Sequence, residues 1–231
     1  MMVNNRIRKA AYALIIVAFL VLQATTGYSQ SAADKWEKDI ENFERSDKTN
    51  GIKYGSILFT GSSSITKWPD INTYFPSYDI LNRGFGGSQF SDLLAYVDRV
   101  IVAYKPSKVF IYEGDNDIAA GETPEQVFEE AVKLREILKS KLPGVPVVFI
   151  SAKPSIARWN LKDRYVQFNR LLKKYADETE LTMYADVWTP MLEREGNVKQ
   201  VFLKDDLHMT AEGYKIWQQA LMKFLPASKK D

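Results

Sequence analysis

The sequence predicts an α/β fold: a five-stranded parallel sheet between two helical layers, a three-layer α/β/α sandwich. Three observations predict it. Five short apolar runs recur along the chain, each bounded by glycine, proline or another turn residue. Most lack strict apolar–polar alternation, as expected of strands covered on both faces. Between them lie segments with a helical apolar stripe, and strands alternating with such helices form a parallel sheet with right-handed crossovers.

The elements follow in order. Residues 31–50 are polar with a weak helical pattern (Trp36, Ile40, Phe43) and read as a helix on the edge of the domain. Ser56–Thr60 is the first strand and Tyr78–Leu81 the second. Ser88–Tyr104 carries Phe90, Leu93, Leu94, Val97, Val100, Ile101 and Tyr104 on one helical stripe. Lys108–Tyr112 is the third strand. The next helix opens at Thr123-Pro124-Glu125-Gln126, a capping box with proline at the first helical position, and Val127, Ala131, Leu134 and Leu138 then face inward. Val145–Ile150 is the fourth strand, Lys162–Ala176 a helix and Leu181–Ala185 the fifth strand. The last helix follows Thr210, with Tyr214, Trp217, Leu221 and Phe224 at helical spacing.

A chain of 231 residues, 45% hydrophobic and 26% charged, suits one soluble domain with a sizeable core. There is no cysteine, which excludes disulfides, thiol catalysis and lipoprotein acylation. With one histidine, a zinc centre built on several imidazoles is excluded too.

The N-terminus reads as a secretory signal peptide. Arg6, Arg8 and Lys9 precede an uncharged apolar run from Ala10 to Leu22, and Gly27 and Ser29 fit a small-residue cut after Ser29. That run is short of the roughly 20 residues that span a bilayer, with an uncleaved membrane anchor as the alternative. The expected organisation is a signal at 1–29 and one domain over 30–231, its core at about 56–225, in a periplasmic or secreted protein. Losing the three basic residues takes the formal charge from +2 to −1, so nothing points to a nucleic-acid partner.

Four segments carry chemistry, at the carboxyl ends of predicted strands or in the last loop, where ligands bind in such sheets. In Thr60-Gly61-Ser62-Ser63-Ser64, a strand runs into glycine and three serines, which reads as an exposed hydroxyl nucleophile or as a hydroxyl-rich helix cap. Ile65 stands where Gly-x-Ser-x-Gly would need its last glycine, which argues against the α/β-hydrolase elbow. Asn82-Arg83-Gly84-Phe85-Gly86-Gly87-Ser88 reads as a backbone anion cradle or a plain strand-to-helix turn, and Gln89 breaks a dinucleotide fingerprint. Glu113-Gly114-Asp115-Asn116-Asp117 offers an amide donor for a developing oxyanion, or an ordinary Asx turn. Ala119 and Ala120 rule out a calcium loop there. Finally, His208 stands three residues after Asp205. That pair is either a solvated loop or a base with its orienting acid.

In this order, the four segments closely resemble the blocks of the SGNH (GDSL esterase/lipase) hydrolases over roughly Ser56 to Phe224. The resemblance implies the flavodoxin-like SGNH hydrolase fold and ester hydrolysis without a metal or cofactor. Gly61-Ser62-Ser63 matches the first block, making Ser63 the nucleophile, with Ser62 where aspartate usually stands and Ser62 and Ser64 as fallbacks. The oxyanion hole falls on the Ser63 and Gly87 N–H groups and the Asn116 amide, and Asp205 and His208 complete the triad. The implied partner is a small-molecule ester, a lipid or an acylated carbohydrate. The family spans lysophospholipases, thioesterases, platelet-activating-factor acetylhydrolase-like enzymes and carbohydrate acetylesterases. An acyltransferase with the same triad and a catalytically silent binding protein are the alternatives. The loop Lys153–Trp159 follows the fourth strand, so Arg158 reads as a contact for an anionic group and Trp159 as a stacking surface, unless both pack on the loop itself.

Overall fold

All five residues of Ile57–Gly61 are buried, and they form the first strand, β1. A pentapeptide covered on both faces satisfies its backbone only inside a sheet. β1 pairs in parallel with Ile80–Gly84 (β2) on one side and Lys108–Tyr112 (β3) on the other. Val147–Ile150 (β4) and Thr182–Ala185 (β5) extend the sheet, also in parallel, to the order β2-β1-β3-β4-β5. The strand order reverses at β1 and β3, and their carboxyl ends open the crevice where this class of sheet binds ligands.

The computed structural model describes residues 35–68 and 70–226. The chain divides into two units, 1–39 and 40–231; of the first, the described residues 35–39 are helical. The expected signal peptide lies outside the described residues. In the second unit, 40–50 is helical (α1). The helices Ser63–Thr66 (α2), Ile71–Tyr74 (α3), Phe90–Val100 (α4), Asp115–Ala120 (α5), Pro124–Lys141 (α6), Lys162–Glu178 (α7) and Ala211–Met222 (α8) follow.

Successive strand residues point to opposite faces. On one face, Ile57 and Phe59 join Phe110, Tyr112, Val148, Ile150 and Ala185 in a core closed by Trp68 and by Tyr214, Trp217 and Leu221 of α8. Phe59 stacks on Phe110 with ring centroids 4.4 Å apart, and Trp68 on Tyr214 at 4.8 Å. Such pairs add about 1 kcal/mol each beyond the area they bury. On the other face, Phe149 meets Phe90 of α4, which in turn meets Phe168 of α7. These two layers make the three-layer sandwich. Among the described residues, no helix is long and apolar enough to cross a membrane.

The predicted capping box forms: Thr123 Oγ1 accepts from Gln126 N at 3.3 Å, and Gln126 Oε1 accepts from Thr123 N at 2.9 Å. Several predicted boundaries shift by one or two residues, and three differences have a physical reason. The second strand runs on to Gly84, so Asn82 and Arg83 are strand residues and not part of the following turn. Their polarity hid this, because each finds partners beyond the strand. Asn82 Nδ2 donates to the carbonyls of Ile65 and Trp68. Arg83 pairs with Asp47 of α1 at 2.5 Å and lies over the rings of Phe43 and Tyr104. The helix predicted over Ser88–Tyr104 breaks at Ile101 into α4 and a 3₁₀ turn, Val102–Tyr104. Leu181 adopts φ +55° and turns the chain into β5 without belonging to it.

Candidate active site

β1 ends on Gly61 at φ +127°, and α2 begins two residues later with Ser63. Of the three neighbouring serines, Ser62 and Ser64 are buried, at 2% and 3% exposure. Ser63 is half-buried. Its Oγ lies 3.0 Å from His208 Nε2, which distinguishes it from both fallbacks.

His208 comes from the loop before α8. Its Nδ1 is 2.5 Å from Asp205 Oδ2, while the other carboxylate oxygen accepts the His208 and Leu207 backbone N–H groups at 2.9 and 3.1 Å. A carboxylate only accepts, so Nδ1 carries the proton and Nε2 is left to accept from Ser63. The hydrogen bonds from the His208 side chain and backbone hold the Asp205 carboxyl well below the usual carboxylate range, although it is about half exposed. Asp206 holds the loop's turn at φ +55°, and its carbonyl accepts from Ala157 N at 3.1 Å, tying this loop to the one after β4.

The turn after β2 brings Gly86 against Ser63: a Cβ built on Gly86 would meet the Ser63 Cβ at 3.8 Å. Gly87 follows at φ +85°, and its N–H has no backbone partner among the described residues. Ser63 N–H, at the first position of α2, is one of the donors a helix start leaves open. Asn116, half-buried near the start of α5, donates from Nδ2 to the Ser88 carbonyl at 2.9 Å. Ser88 is itself buried, and its Oγ donates to Glu113 Oε1 at 2.5 Å.

Several charged groups that the sequence reading left without a role lie beneath this surface. Asp115 is buried and receives Arg158 Nη1 at 2.6 Å, Tyr112 OH at 2.9 Å and Lys153 Nζ at 3.4 Å. Burial alone would raise the Asp115 carboxyl, but the Lys153 and Arg158 charges outweigh it and hold it at about 2. Arg158 Nη2 also donates to Asn116 Oδ1 at 3.1 Å. The expected anion-binding arginine is therefore already paired inside the protein. Trp159 stacks on Trp188 at 6.0 Å and 16°, beside a groove of about 390 Å³ lined by Tyr184, Trp188, Arg170 and Lys223. The one available signal was a lysine, Lys153, soon after a wholly apolar strand, a position that demands a buried counter-charge.

Among the described residues, Asp117, Glu122 and Glu130 are the acidic group close enough to share a cation, with oxygens within 4.8 Å of one another. Both Asp117 oxygens already accept backbone N–H bonds, from Phe90 and Gly114.

Glu113 is buried, and its second oxygen has no partner among the described residues. Burial first, and Asp117 next, push its carboxyl well above the ordinary range. The folded state therefore keeps a proton that the unfolded chain releases above its ordinary value, and stability falls as pH rises through that window. Glu113→Gln removes the ionisation. Its melting temperature relative to the parent should rise between pH 5 and pH 8.5, measured by calorimetry. A gap independent of pH would mean that Glu113 is already ionised in the fold.

The family model for the GDSL-like lipase/acylhydrolase family matches residues 54–216. No curated protein matches the chain. Solved structures share its fold. A Streptococcus pneumonia protein described as a candidate platelet activating factor superposes with a TM-score of 0.73 at 19% identity, covering 90% of this chain and 99% of that one. A GDSL-like lipase from Bacteroides thetaiotaomicron gives 0.66 at 20% identity, covering 80% and 98%. An acetylxylan esterase from Geobacillus stearothermophilus, solved as a catalytic mutant, gives 0.60 at 18% identity, covering 74% and 95%.

Proposed function

This chain belongs to the GDSL-like lipase/acylhydrolase family, and from that membership we propose that it hydrolyses small carboxylic esters through an acyl-enzyme on Ser63. The observation that carries the reading is the continuous hydrogen-bonded line from Ser63 Oγ through His208 to Asp205. Ser63 attacks the ester carbonyl as His208 Nε2 takes its proton. Asp205 holds the ring and stabilises the imidazolium. The tetrahedral oxyanion is met by the Ser63 and Gly87 N–H groups and the Asn116 amide, and loss of one such donor costs about 3 kcal/mol. The alcohol leaves with the proton from His208. Water, activated by the same nitrogen, then hydrolyses the acyl-enzyme. The mechanism calls on no metal or cofactor.

One feature favours short acyl groups on a carbohydrate or another soluble alcohol over lysophospholipid or thioester substrates. Trp159, half-buried and stacked on Trp188, directly follows Arg158, which meets the Asn116 amide, and gives that side of the site an aromatic surface suited to a sugar ring. The likeness in fold to an acetylxylan esterase agrees with this. The basic and then apolar N-terminal sequence supports export to the periplasm or beyond.

The reading is tested with p-nitrophenyl acetate and a fluorophosphonate probe on the purified protein. Turnover should be seen, and peptide mapping should place one phosphonyl adduct on Ser63. An adduct on Ser62 or Ser64 would move the nucleophile. Neither turnover nor adduct would make the chain a silent member of its family.

A further inference from the structure

We propose that the Asp115–Arg158 ion pair is a positioning device for the Asn116 amide, fixing which end of that amide faces the reacting carbonyl. This deepens the esterase reading and rests on Asn116 being an oxyanion donor.

An asparagine amide has two ends of nearly equal shape and opposite polarity. The NH₂ end stabilises a developing oxyanion, whereas the carbonyl end repels it. A half-turn of the amide therefore converts a catalytic group into an inhibitory one. Its neighbours must select the orientation.

Here both neighbours are single-purpose. The partner of Nδ2 is the Ser88 carbonyl at 2.9 Å, which only accepts. The partner of Oδ1 is Arg158 Nη2 at 3.1 Å, which only donates. A flipped amide would set oxygen against oxygen on one side and N–H against N–H on the other. The observed orientation leaves the second Nδ2 hydrogen available to a ligand.

Arg158 can do this because its other nitrogen is fixed. Nη1 donates to Asp115 Oδ1 at 2.6 Å and to the Asp115 carbonyl at 3.1 Å. Asp115 is held in turn by Tyr112 OH and Lys153 Nζ, and its carbonyl also accepts from Tyr165 OH at 3.0 Å. The guanidinium fork thus spans adjacent residues, the carboxylate of one and the amide oxygen of the next. A lysine ammonium is a single point and cannot bridge both, so Arg158→Lys separates charge from geometry. An arginine reserved for a substrate anion would not be neutralised at 2.6 Å by a buried carboxylate.

The test is steady-state hydrolysis of p-nitrophenyl acetate by the protein, Arg158→Lys, Asn116→Ala and the double variant. Asn116→Ala should lose about 100-fold in kcat. Arg158→Lys should lose about 10- to 100-fold in kcat with KM within about twofold, since misplacing a catalytic group by about 1 Å has effects of that size. In the Asn116→Ala background, Arg158→Lys should add less than about twofold, because the group it positions is gone. If Arg158→Lys fails to fold, Arg158→Ala with added methylguanidinium serves instead. The cation should restore kcat in that variant and not in Arg158→Ala/Asn116→Ala. Three results would overturn the inference: unchanged kcat in Arg158→Lys, a rise in KM alone, or losses that multiply in the double variant. Full activity in Asn116→Ala would instead remove the oxyanion role of that residue, and this inference with it.

Discussion

Ser63→Ala is expected to lower kcat for p-nitrophenyl acetate by about 10⁶-fold, and His208→Ala by about as much. The two losses are alike because neither group works without the other. Ser63 Oγ is a poor nucleophile until Nε2, 3.0 Å away, can take its proton, and Nε2 has nothing to deprotonate once the hydroxyl is gone. The double variant should therefore be no slower than either single one, where independent contributions would multiply. Asp205→Asn should cost less, about 10⁴-fold, because an amide can donate to Nδ1 and so favour the wrong tautomer. What remains, about 10³-fold over water, belongs to the oxyanion donors and to binding. Steady-state kinetics at matched concentrations of purified protein measures all of this. A loss below about tenfold in Ser63→Ala would place the nucleophile elsewhere. Ser62 and Ser64 are poor candidates, since both are buried while His208 faces Ser63.

How much of this was legible in the sequence depended on how local the signal was. The capping box at Thr123 is read within four residues, and it forms as read. The Asp205–His208 pair is also local, and its side-chain and backbone bonds all close within one turn of chain. The segments that hold Ser63, Gly87 and Asn116 were legible because each follows the end of a strand, and parallel strands bring those ends together; the choice of residue within each segment came from the family resemblance. The Arg158 fork was not legible. It joins residues more than 40 apart, and a cation on a loop beside a site looks the same in sequence whether it binds a substrate or a buried carboxylate. α5 was missed for a related reason. Its acids, Asp115 and Asp117, suggest a solvated turn, yet both are buried, one paired with arginine and lysine and the other with backbone N–H groups. The extension of β2 hid likewise behind Asn82 and Arg83, whose partners lie on α2 and α1 and in the turn after α2.

Gly61→Ala is expected to destabilise the fold by about 4 kcal/mol or more, a range reached through a short list of mechanisms that includes overpacking and strain at a special φ/ψ. Two effects combine at this residue. Its φ of +127° is one that side-chain-bearing residues rarely adopt. An added Cβ would also lie 2.0 Å from the Tyr112 carbonyl oxygen and within 3 Å of that residue's carbonyl carbon and nitrogen. These are backbone atoms of β3, so no rotamer change relieves the overlap. The strands must part, and the hydrogen bond from Ser62 N to that same carbonyl, 3.0 Å long, goes with them. Gly55 is the control, because its φ is also positive, +75°, but a Cβ there meets nothing within 4 Å. Gly55→Ala should cost only the backbone strain, about 1 kcal/mol. Urea denaturation of the two variants separates steric overlap from strain. Equal midpoints would mean that β1 and β3 yield at this point without cost. A large gap would show that overlap with the β3 backbone dominates, and any Gly61→Ala protein that still folds should lose activity by displacement of its nucleophile two residues away.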